Sequence, residues 1–110
     1  MDKVHYPIGE EKGALGKNMG KLAAAYMAWD LRRIDAREKR GPRSVKLSRR
    51  VPSAKAFEVA GTARGSFRRI RAWFFRRRGH SYSVRIDEME DLGARVPPEV
   101  TAFLETVEVR

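Results

Sequence analysis

Six of the twelve residues in the stretch FRRIRAWFFRRR, residues 67–78, are arginines. Arginine suits phosphate because its planar guanidinium donates two parallel hydrogen bonds to an oxyanion. Placed on a helix at 100° per residue, Phe67, Ile70, Trp73 and Phe74 cluster on one side, while Arg68, Arg69, Arg71, Arg76 and Arg78 spread over the opposite arc with Phe75 among them. Such a helix fits a DNA major groove, where arginine also reads guanine edges, and an exposed Phe75 would stack on a base or wedge between steps. The plainer alternative makes Phe75 core and the arginines a solvated face. Like charges one turn apart repel, which favours an anionic partner. Further bases flank this run: Arg43, Lys46, Arg49 and Arg50 before it, Lys55 and Arg64 at an expected turn, and Arg85 after it. Replacing Arg68 and Arg71 together by alanine is expected to weaken nucleic-acid binding with the fold intact.

Other chemistry finds little support. His5 and His80 lie far apart without metal-ligand spacing. Asp87, Glu88, Glu90 and Asp91 read as a solvated acidic turn rather than a divalent-metal site, since no calcium-loop spacing is present. Gly13, Gly16 and Gly20 lack the Gly-Lys-Ser/Thr ending of a phosphate loop. The absence of cysteine excludes disulfides, thiolate zinc sites and cysteine nucleophiles. The expectation is a non-enzymatic binding protein with no metal and no cofactor.

The charge is unevenly spread. The chain of 110 residues carries a net charge of +10, with residues 1–86 holding 22 bases against seven acids and residues 87–110 holding seven acids against two bases. A basic body with an acidic end gives the surface an electrostatic direction. No segment is long and apolar enough to span a bilayer, and the first residues lack the apolar centre of a leader. The expected location is cytoplasmic, in association with nucleoid or ribosome.

Residues 1–14, broken by Pro7, Gly9 and Gly13, read as a flexible arm, and residues 15–110 as one compact basic domain with an acidic segment over 87–110. Leu15, Met19, Leu22, Ala23, Tyr26, Met27 and Ile34 recur every three to four residues, predicting a long helix over about 15–40 that Gly41 and Pro42 stop. Alternation predicts a strand over 43–51, with Val45, Leu47 and Val51 on one face. A short helix over 54–60, a turn at Gly61 and a second helix from about 63 or 66 to 78 follow. The clearest strand signal is HSYSVRID, residues 80–87, and Pro98 suits the first position of a final helix carrying Val100, Phe103 and Leu104. The fold expected is α+β, a single small domain, mostly helical, with a long N-terminal helix and a small antiparallel β element.

The stretch SAKAFEVAGTARGSFRRIRAWFFRRRGHSYSVRI, residues 53–86, resembles the winged helix-turn-helix family: a short helix, a glycine turn at Gly61, a recognition helix and a wing strand. The resemblance covers about a third of the chain. It implies that Arg64, Ser66, Arg68, Arg69 and Arg71 face DNA, with Arg77, Arg78 and His80 near the wing. The function expected is DNA binding of the transcription-regulator or architectural kind, with a homodimer if the N-terminal helix leaves apolar surface exposed. RNA binding within a ribosome-like assembly is the second reading. The third is a small inhibitor or adaptor, phage-encoded in type, acting on a protein of a nucleic-acid machine.

Overall fold

The computed structural model describes residues 8–11, 17–91, 93 and 95–107. Among the described residues, five strands form one antiparallel sheet: β1 (Ile8–Glu11), β2 (Asp35–Val45), β3 (Ala54–Ala63), β4 (Ser66–Arg77) and β5 (His80–Glu88), in the order β1-β5-β4-β3-β2. Helix α1 (Met19–Arg33) packs on one face, and α2 (Pro98–Glu105) on the other.

Strand alternation divides the core in two. Val59, Ile70, Ala72 and Phe74 meet Leu22, Ala23 and Met27 of α1. Ala56, Trp73, Phe75, Val84 and Ile86 meet Val100 and Leu104 of α2, with Leu47 and Val51 of the loop between β2 and β3. Helix α1 starts at Asn18, whose side chain accepts a 3.0 Å hydrogen bond from the Lys21 amide. On its sheet-facing side Asp30 is buried and accepts from Arg85 of β5, at 3.0 Å for Arg85 Nη1 and through a second bond from Nη2.

The mostly helical expectation is corrected by this sheet. Residues 66–77 are strand β4, not a recognition helix, and residues 54–63 are strand β3, not a short helix. The stretch 53–86 is thus a three-strand meander in which the two helices implied by the winged-helix resemblance are strands. Helix α1 ends at Arg33 rather than near 40, and the residues expected to finish it form edge strand β2. The strand expected over 43–51 ends at Val45. The strand over 80–87 and the helix opening at Pro98 lie where the spacing places them. Of the expected arm, Ile8–Glu11 pairs with β5, and the rest of 1–14 falls outside the described residues. None of the helices is long and apolar enough to cross a membrane among the described residues.

Turn chemistry explains the meander. Arg64 with Gly65, and Arg78 with Gly79, all have φ between 51° and 80°, the signature of two-residue turns whose twist matches that of the flanking strands. Gly61, expected to be the turn, lies within β3, where an added Cβ would stand 1.9 Å from the Asp35 carbonyl oxygen. It permits close approach of β2 instead.

Candidate nucleic-acid interface

The antiparallel register gathers bases at one end of the sheet. That end holds the close of β2, the start of β3, the β4–β5 hairpin and the loop 46–53. Residues 43–55 and 76–86 contain Arg43, Lys46, Arg49, Arg50, Lys55, Arg76, Arg77, Arg78 and Arg85 without one acid. On the far edge, β1 sets Glu10 and Glu11 beside Tyr82 and Ser81.

The loop 46–53 is built to present its charges. Ser48 Oγ accepts a 3.1 Å hydrogen bond from the Val51 amide, and the Leu47 and Ser48 amides both donate to the Val51 carbonyl at 3.1 Å. This tight turn buries Leu47, Ser48 and Val51 and leaves Arg49 and Arg50 exposed at its apex. Arg77 Nη1 donates to the Arg50 carbonyl at 2.7 Å, tying the hairpin to the loop. Within the hairpin, Arg76 donates to Ser81 Oγ at 2.9 Å and to the Gly79 carbonyl at 3.0 Å. Arg78 therefore stands on a braced tip. Among the described residues, no side-chain hydrogen bond or ion pair engages Arg43, Lys46, Arg49 or Arg78.

The remaining candidates lie elsewhere. Arg64 and Ser66 flank the β3–β4 turn at the opposite end, where Arg68 is paired with Asp87 at 2.7 Å. Phe75, expected among the exposed bases, is fully buried and stacks on Tyr82 with 5.6 Å between ring centroids. Arg85 is held by Asp30. The sequence places Arg43, Lys46, Arg49, Arg50, Arg76 and Arg78 together only once the strands are known, and it gives no hint that Arg77 is the brace.

Arg69 and Arg71 are the largest departure. They point to the α2 face of β4 and are 1 % and 3 % exposed. Arg71 meets Glu58 at 2.6 Å and Glu88 at 3.3 Å, and donates to the Gly93 and Arg95 carbonyls at 3.4 and 3.2 Å. Arg69 meets Glu38 at 2.8 Å, Glu58 at 3.4 Å and Asp91 at 3.5 Å. Its Nε and Glu88 Oε2, 3.8 Å apart, lack hydrogen-bond partners. Burial alone would lower the Arg69 pKa; its hydrogen bond to Glu38 and the charges of Glu58, Glu38 and Asp91 outweigh that and raise it above the ordinary value. Both arginines anchor β4 to its neighbours and are not open to phosphate. The Arg68→Ala, Arg71→Ala pair consequently tests folding rather than binding.

Among the described residues no group of three or more histidines, cysteines or carboxylates is placed to hold a metal ion. No protein family, curated protein or solved structure matches this chain.

Proposed function

We propose that this protein binds a polyanion, with duplex DNA the first candidate, through the basic end of its sheet. The observation that carries the reading is the joined pair of loops: Arg49 and Arg50 on one apex, Arg78 on the other, linked by the 2.7 Å bond from Arg77 to the Arg50 carbonyl. Phosphate contacts fix position without carrying sequence information, so the proposed mode is backbone recognition. It needs no helix in a groove.

Fluorescence anisotropy with a labelled DNA duplex and a labelled RNA hairpin, across a salt series, tests it. Engagement of about four phosphates gives a log–log salt slope near −3.6 on DNA, and so a loss of roughly a hundredfold between about 50 and 200 mM salt. Tighter binding to the RNA at matched salt assigns the surface to structured RNA. No binding to either at low salt refutes the proposal.

A further inference from the structure

On the α2 face a cleft of about 250 Å³ opens between β2 and the segment that follows β5. It is lined by Trp73, Val45 and Val96, by the buried Glu58 and Arg71, and by the exposed Arg40 and Arg43. Three guanidiniums against one carboxylate leave the lining positive. Glu58 and Arg71 already neutralise each other, paired at 2.6 Å. The charge on offer belongs to Arg40, whose nearest carboxylate contact is 3.9 Å from Glu58, and to Arg43, which has no ion pair among the described residues.

A bulge in β2 sets this arrangement. Arg40 pairs with Glu58 and Arg43 with Ala56, so three steps along β2 match two along β3. In a regular strand residues three apart point to opposite faces. The extra residue turns both arginines to the same face, as bulges do where side chains must be re-aimed. Gly41 makes the bulge possible: its φ is 91°, and a Cβ there would lie 2.5 Å from the Ala56 carbonyl oxygen.

We infer that this cleft binds a small molecule made of one planar apolar ring and one oxyanion group, the ring against Trp73 and the oxyanion between Arg40 and Arg43. The volume is just below the usual range for ligand sites, roughly 300–1,000 Å³, and suits a single substituted ring better than a nucleotide. Guanidiniums bind carboxylate and phosphate alike. The cleft shares Arg43 with the basic end of the sheet, but neither Arg49 nor Arg78 of the joined loops lines it.

The chain has two tryptophans, and Trp29 is 55 % exposed, so a Trp29→Phe background isolates Trp73 emission. Excitation at the red edge of the indole band avoids absorption by a benzene ring. Benzoate and phenyl phosphate are titrated, with inorganic phosphate and benzyl alcohol as controls lacking ring or charge. The expected result is a saturable change with at least one ring-bearing anion, which names the oxyanion, and an affinity at least tenfold weaker for both controls. Arg43→Ala alone and Arg40→Ala with Arg43→Ala weaken that binding, the pair by tenfold or more, with unfolding midpoints confirming folded protein. The inference is overturned by the absence of a saturable response to either anion, by equal affinity for a control, or by unchanged affinity in the folded double variant.

Discussion

Glu58→Gln should destabilise the fold out of proportion to its size. The substitution keeps the volume and one acceptor oxygen but removes the charge shared by two buried arginines. Glu58 lies 2.6 Å from Arg71 and 3.4 Å from Arg69. At an effective dielectric constant of about 20, the shorter contact is worth roughly 6 kcal/mol of Coulomb attraction, most of it offset by desolvation. Removing one member of a buried ion pair costs about 3–5 kcal/mol, because the partner charge stays buried. Here Arg71 keeps Glu88 at 3.3 Å and Arg69 keeps Glu38 at 2.8 Å, which places the loss at the low end, about 3 kcal/mol. Urea unfolding reads it directly: for an m value near 1.5 kcal/mol/M, the midpoint falls by about 2 M. Replacing Glu58 and Arg71 together by methionine should cost less than the sum of the single changes, since no unpaired charge remains between them. A Glu58→Gln loss below about 1 kcal/mol, the worth of an exposed pair, would show that the cluster is solvated and that the account of β4 is wrong.

Two further substitutions probe the sheet. Phe74→Ala removes a side chain 1 % exposed that stacks on Phe57 and meets Tyr26 at a tilt, and should lower stability by about 3–5 kcal/mol in the same urea assay. Gly61→Ala forces a Cβ to within 1.9 Å of the Asp35 carbonyl and must part β2 from β3, so amide exchange should quicken along β2 while β4 and β5 keep their protection.

What could be read in the sequence depended on which faces were buried. Strand β5 alternates cleanly and was legible, as was α2, whose Pro98 sits at its first position. Strand β4 is central and buried on both faces, so its apolar residues include neighbours such as Trp73, Phe74 and Phe75 and lose the alternation of a one-sided strand. Phe67, Ile70 and Phe74 then fall by coincidence at helical spacing. Arg69 and Arg71, two of the arginines that complete the amphipathic pattern, are instead held by carboxylates on the neighbouring strands, Glu58 and Glu88. Two Arg-Gly pairs at 64–65 and 78–79 were the available clue, since they bound a run of strand length rich in aromatic residues. Strand β2 hid for another reason. As an edge strand it is guarded by Arg37, Lys39 and Arg40, and charges on an edge resemble the polar end of a helix. The basic surface was legible as a composition, but its place depended on the register.

The joined loops, and not the arginine-rich strand, are the proposed contact with the polyanion. The most direct test is the salt dependence of DNA binding by an Arg49→Ala, Arg50→Ala, Arg78→Ala variant beside an Arg64→Ala control. The backbone carbonyl of residue 50 remains, so the brace from Arg77 is kept. Loss of three phosphate contacts should reduce the slope by about 2.7 in the triple variant and leave that of the control near wild type. An unchanged slope in the folded triple variant, or a per-residue loss as large from Arg64, would contradict the account.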